Sequence, residues 1–189
     1  MILRRLIRAV RPSDFLWAFA APLYYILYSL RHEGFHALAA ILVRAPIREF
    51  HINPTGAFDG THSAGFVLVE STNLNVVILA APYFGDLLIP LVCLALTTWL
   101  TKRISNRHLW LNLVFLTSGL SFLNSLLNFY AFISFHGGDL GLIAGTVSPF
   151  WVDWYCSVSI GLNALVTMSL FLRLESISKP RLINPAEGP

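Results

Sequence analysis

His32, Glu33 and His36 form the pattern His-Glu-x-x-His. On a helix, positions i and i+4 share a face, so both imidazoles can hold one metal ion. Zinc in catalytic sites takes three protein ligands and leaves one position for water. The ion brings the pKa of that water towards 7, and a neighbouring carboxylate can take its proton. Glu33, one residue after the first histidine, is placed to do this. The expected chemistry is hydrolysis of a peptide carbonyl, with Zn2+ as cofactor, His32 and His36 as metal ligands and Glu33 as the general base. The pattern arises by chance in roughly one chain of this length in a hundred or two. Its setting adds weight. Arg31, His32, Glu33 and His36 lie within one long apolar run, where ionisable side chains are costly and usually mark a function.

A third ligand has to come from another segment. Asp139 is the leading candidate, because Gly137 and Gly138 before it permit close backbone approach. The rivals are His136, His62, His51, Asp59 and Asp86. Ser118, Ser121, Asn124, Ser125 and Asn128 recur in steps of three and four, which puts them on one side of a helix. Such a stripe commonly joins membrane helices. Its other reading is that Asn128, or less directly Asn124, holds a substrate backbone. Residues 44–73 carry turn signals, Asn53-Pro54-Thr55-Gly56 and Asp59-Gly60, between the β-like runs 47–52 and 65–70. A connecting hairpin is the simplest outcome. The functional outcome is a strand edge beginning at Gly65 and Phe66 that pairs with an extended substrate.

These residues need elements to hold them. The chain has 189 residues, of which 56% are hydrophobic and 12% charged, about half the charged fraction of soluble domains. The apolar residues fall in long runs that read as membrane-spanning helices at about 12–43, 74–100, 109–135 and 150–172. The expected fold is an all-α integral membrane protein with about four transmembrane helices and a small β-hairpin insertion after the first. Three regions follow: a basic interfacial arm over 1–11, a membrane-embedded domain over 12–175 and a polar tail over 176–189. Arg4, Arg5 and Arg8 before Ala18-Phe19-Ala20 mimic a signal peptide, but the apolar run continues past that point, so an uncleaved first helix is expected. Cys93 and Cys156 both fall in predicted spans and read as small apolar core residues.

Charge sets an orientation. The arm carries Arg4, Arg5, Arg8 and Arg11, the loop between the second and third helices carries Lys102, Arg103 and Arg107, and the tail carries Arg173, Lys179 and Arg181. The opposite side has only Arg44 and Arg48. The positive-inside rule puts both termini in the cytoplasm and the hairpin and the Gly-Gly-Asp segment on the other face. A net charge of +3 gives no sign of nucleic acid as a partner. The partners expected are the lipid bilayer and a membrane protein or peptide substrate.

Four stretches together resemble the site-2 proteases, the intramembrane zinc metalloproteases, and in particular their compact bacterial branch. They are HEGFHALAAILV at 32–43, REFHINPTGAFDGTHSAGFVLV at 48–69, LAAPYFGDLLIPL at 79–91 and HGGDLGLIAGTVSPFWVDW at 136–154. The first is specific by itself, and the others gain weight from their order. The resemblance implies zinc on His32 and His36, Glu33 as general base, Asp139 as third ligand and a location in a bacterial inner membrane. The family usually has Asp-Gly at the third ligand, where this chain has Gly138-Asp139-Leu140. The charge pattern also puts the site towards the non-cytoplasmic face, whereas many bacterial members work near the cytoplasmic one.

Other classes fit less well. A non-proteolytic membrane scaffold would not need Glu33. A membrane di-iron oxygenase needs about eight clustered histidines, against six scattered ones here. A rhomboid-type serine enzyme wants a Gly-x-Ser-x-Gly-like context, which is absent from the sequence. An aspartyl type wants two helix-borne aspartates, and Asp86 alone lies well inside a predicted span.

Overall fold

The computed structural model describes residues 10–53, 65–70, 75–135 and 138–174. The chain begins with a 3-10 helix, Pro12–Ala20, that runs directly into α1, Ala21–Leu42. Pro22, at the start of α1, sits where a missing N–H costs nothing. The 3-10 segment is tied to a later helix by Arg107, whose Nε donates to Asp14 Oδ1 at 3.1 Å. The end of α1 is a Schellman turn. The Arg44 N–H donates to Ile41 O at 3.0 Å and the Ala45 N–H to Ala40 O at 2.8 Å, with Arg44 at a positive φ of 59°. Pro46 then prevents the helix from resuming.

The chain turns into β1, Ile47–Ile52, which pairs antiparallel with β2, Gly65–Val69. An irregularity between Ile47 and Glu49 sets Arg48 out of the register. This is the expected hairpin. The segment between its strands, with Asp59 and His62, lies outside the described residues.

Next come α2, Val76–Ala95, and a short α3, Thr97–Arg103. The Asn75 side chain caps α2 by accepting from the Val77 N–H at 3.0 Å. Helix α4, Arg107–Val114, passes through a π-helical turn, Phe115–Gly119, into α5, Leu120–Phe135. Two more helices follow, α6 at Gly138–Thr146 and α7 at Pro149–Leu172. Helix α6 corrects an expectation. Gly137 and Gly138 predict a loop around Asp139, but Asp139 lies in the first turn of a helix. Gly138 makes that entry at a φ of +68°, which a side chain would resist.

Among the described residues, three helical stretches are long and apolar enough to cross a membrane: Val76–Ala95, Arg107–Phe135 and Pro149–Leu172. Helix α1 has 22 residues, long enough for the same task, but Arg31, His32, Glu33 and His36 lower its hydropathy. Its outward side is nonetheless apolar, with Leu23, Leu30, Leu38 and Ile41 exposed.

Helix α2 is central and packs against α1, α5, α6 and α7. Ala39 and Ala40 of α1 meet Ile78 of α2 with Val69 of the hairpin alongside. Leu140 and Ile143 of α6 pack with Tyr83, Phe132, Val152 and Cys156. Those two contacts fix the three segments that carry the site. Cys93 and Cys156 are buried and unbridged, as expected of core residues.

Candidate metal centre

His32 and His36 project from one side of α1, and Asp139 meets them from α6. Asp139 Oδ2 lies 3.1 Å from His36 Nε2 and 3.6 Å from His32 Nε2. The three ligand atoms all lie within 4.8 Å of one another. Ligands on a tetrahedral zinc ion with bonds of about 2.0–2.1 Å stand roughly 3.3 Å apart, and the two separations to Asp139 are close to that edge. Two imidazoles and a carboxylate also match in type. Among the described residues this is the only such group of His, Cys, Asp and Glu side chains.

Each histidine turns the same nitrogen inward. His36 Nδ1 lies 2.7 Å from Ile78 O. A carbonyl only accepts, so Nδ1 carries a proton, and Nε2 is the nitrogen on the Asp139 side, the one a metal would take. The carbonyl is available for a local reason. Four residues after Ile78 stands Pro82, which has no N–H to complete the helical bond. His32 Nδ1 faces the Tyr28 hydroxyl at 3.2 Å. Burial alone would raise the pKa of the Asp139 carboxyl, but its hydrogen bonding and charge interactions with His32 and His36 hold it below the usual carboxylate range. It therefore stays ionised at neutral pH, as a ligand must.

Glu33 is buried, and its neighbours in space include His36 and Asp139. Among the described residues none donates a hydrogen bond to its carboxylate. It opens into a cavity of about 220 Å³ with His36 and Asp139, floored by Ile78 and Leu79 and walled by Gly65, Phe66, Val67 and Val69 of β2. The approach of β2 is close enough to demand glycine. A Cβ on Gly65 would stand 3.0 Å from Glu33 Cγ and 2.5 Å from His51 O. Three larger hollows, of about 260, 260 and 550 Å³, are lined by apolar side chains, tyrosines and Asn124, without a carboxylate or imidazole.

The candidates named from sequence thus divide. Asp139 joins His32 and His36, and Gly65 and Phe66 line the same cavity. His51 sits on β1 with its ring stacked on Phe66 at 5.3 Å. Asp86 is paired with Arg31 at 2.6 Å. His136, His62 and Asp59 lie outside the described residues. Asn128 is not among the residues lining the cavity. Its amide nitrogen donates to Asn124 O at 3.0 Å and its oxygen accepts from Tyr83 Oη at 3.1 Å. Of the rest of the polar stripe, Ser121 and Asn124 bond Asp86 of α2 and Ser125 meets Ser159 of α7 at 3.0 Å, while the Ser118 hydroxyl donates to Val114 O of its own helical stretch.

Sequence reasoning missed one cluster beside the site. Arg31 Nη2 donates to Asp86 Oδ1, and its Nη1 donates to Leu116 O at 2.9 Å. Leu116 lies in the π-helical turn, where widened winding leaves carbonyls for other donors. Ser121 and Asn124 complete the shell of Asp86. The signal was an Arg and an Asp in two separate apolar runs, each needing a partner. Compared with family models, with curated proteins and with solved structures, the chain finds no match.

Proposed function

We propose that this chain is a membrane-embedded zinc metalloendopeptidase, similar in kind to the site-2 proteases, that cuts membrane-spanning proteins or peptides. One observation carries the reading: two imidazoles and a carboxylate converge within 4.8 Å of one another, and Glu33 shares a cavity with His36, Asp139 and β2.

Helix α1 serves as a fourth span in this reading, beside the three apolar ones. His36 stands six residues before the end of α1, roughly 9 Å along the axis, a depth that in this reading lies within the hydrocarbon layer. Lys102, Arg103 and Arg107 mark the cytoplasmic side, with both termini, and the hairpin and α6 lie towards the opposite face. The membrane is that of a bacterial cell by family resemblance alone.

His32, His36 and Asp139 would hold the ion. Zinc there supplies Lewis acidity, bringing water towards a neutral pKa and polarising a carbonyl. Glu33, with its lone pairs open to the cavity, takes a proton from the attacking water and returns it to the leaving amine. Strand β2 has a strand neighbour on one side only among the described residues. An extended substrate segment can run along its other side over Phe66–Val69, and its carbonyl then faces Glu33. A helical substrate hides its peptide bonds, so this edge favours a segment that has unwound.

The test is cleavage of single-span peptides by the full chain in liposomes. Glu33→Gln should lower cleavage by at least about 100-fold, with zinc content and melting temperature unchanged. Cleavage that survives in Glu33→Gln removes the assignment. Zinc binding without cleavage of any span by the wild type points to a metal-binding scaffold.

A further inference from the structure

Resting on the metal-centre reading, we propose that Tyr28 is a positioning residue for His32, held in its role by a relay through Asn124 to the Arg31–Asp86 ion pair. Tyr28 Oη touches two groups, Asn124 Oδ1 and His32 Nδ1, the latter at 3.2 Å. A phenol has one proton, and an amide oxygen can only accept, so that proton goes to Asn124. The lone pairs of Tyr28 Oη are left for His32. His32 Nδ1 must therefore carry its own proton, and its Nε2 is the nitrogen that faces Asp139 and would take the metal.

The direction of the chain depends on how Asn124 is turned. Its Nδ2 donates to Asp86 Oδ2. The reverse orientation would bring an amide oxygen against a carboxylate, with no proton between them. Asn128 Nδ2 also donates to Asn124 Oδ1, which agrees with the same orientation. Asp86 is in turn fixed by Arg31 at 2.6 Å and by Ser121 at 3.1 Å. The sequence of groups is carboxylate, amide, phenol, imidazole. Carboxylates commonly orient metal-binding histidines by direct contact. Here two side chains carry the same constraint from α2 across α5 to α1.

Helix α1 contains its own control. Tyr24, one turn earlier, donates to Asn112 Oδ1 in the same way, with no histidine beyond it. Tyr24→Phe and Tyr28→Phe each remove one hydroxyl and one tyrosine–asparagine bond. A merely structural role predicts equal consequences for both.

The experiment compares the full chain in detergent as wild type, Tyr28→Phe, Tyr24→Phe and Asn124→Ala. It measures zinc affinity by competition with a coloured chelator and the visible spectrum of the cobalt-loaded protein. Tyr28→Phe should bind zinc about 10–100-fold more weakly and shift the cobalt bands. Tyr24→Phe should match the wild type in both. Asn124→Ala interrupts the relay from its other end and should weaken zinc in the same direction, which covers a Tyr28→Phe protein that does not fold. Wild-type affinity in Tyr28→Phe, or an equal loss in Tyr24→Phe, overturns the positioning role alone. A wild type that binds neither zinc nor cobalt overturns the metal centre and this role with it.

Discussion

Two polar clusters sit side by side on α1, and they are built in opposite ways. In the Arg31–Asp86 cluster, the Asp86 carboxylate receives hydrogen bonds from Arg31, Ser121 and Asn124. It lines none of the four cavities described above. In the cluster of His32, Glu33, His36 and Asp139, the histidines turn Nε2 towards one oxygen, and Glu33 receives no hydrogen bond from the described residues. That cluster opens into a cavity. Burial of polar groups is expensive unless it is answered. The first cluster answers it internally and so reads as architecture. The second leaves it to something that arrives, and so reads as a site.

The largest expected effect falls on the closed cluster. Arg31→Ala leaves Asp86 buried without its counter-charge and leaves the carbonyls of Leu116 and Thr117 short of a donor. Breaking a buried pair from one side costs about 3–5 kcal/mol. Unfolding in a detergent–denaturant series should show a loss of that size, and the relay to His32 should fail with it. A loss no greater than that of an exposed charge, as in Arg48→Ala, would mean the two clusters do not differ as described.

The open cluster should behave in the reverse sense. Asp139→Ala removes a ligand together with the contacts of its carboxylate to the two imidazoles, but that carboxylate is partly exposed, so the metal-free protein should lose less stability than with Arg31→Ala. What it should lose is the response to zinc. A ligand at 100 times its Kd stabilises the folded state by about 2.7 kcal/mol. Thermal unfolding of the wild type with and without zinc should show that gain, and Asp139→Ala and His36→Ala should not. If Asp139→Ala keeps the full response, the third ligand lies elsewhere.

The two clusters also differ in how far the sequence discloses them. The His-Glu-x-x-His spacing is local, so the face shared by His32 and His36 follows from helical geometry alone. The long apolar runs show where the helices lie for the same reason, because length and composition are properties of a segment. The third ligand could be named but not its setting. Gly137 and Gly138 signal a loop by propensity, and packing of Leu140 and Ile143 makes a helix of the residues after them. The pairing of Arg31 with Asp86 is a tertiary fact, since the two are separated by the whole hairpin, and no periodicity reports which distant partner a buried charge finds. Asn128 shows the same limit. The stripe put it on the correct side of its helix, but its bond to Tyr83 depends on a neighbour the stripe does not encode.

Pro82 offers the subtlest way to separate the clusters. A proline inside a helix costs about 3 kcal/mol, because its nitrogen cannot donate and its ring crowds the preceding turn. In α2 that defect is used, since the unclaimed carbonyl of Ile78 receives His36 Nδ1. Pro82→Ala restores an N–H within reach of Ile78 O, and the helix then competes with His36 for it. The carbonyl has two lone pairs, so the competition is partial, and zinc affinity should fall to the low end of such outer effects, about tenfold. Overall stability should change little, because the regained helical bond offsets the volume of the buried ring. The side-chain hydrogen bonds of the Arg31–Asp86 cluster involve neither Pro82 nor Ile78 and should be untouched. Measured together, lower zinc affinity with undiminished unfolding stability would show that the helix defect serves the site rather than the fold, and unchanged affinity would return Pro82 to the role of a tolerated kink.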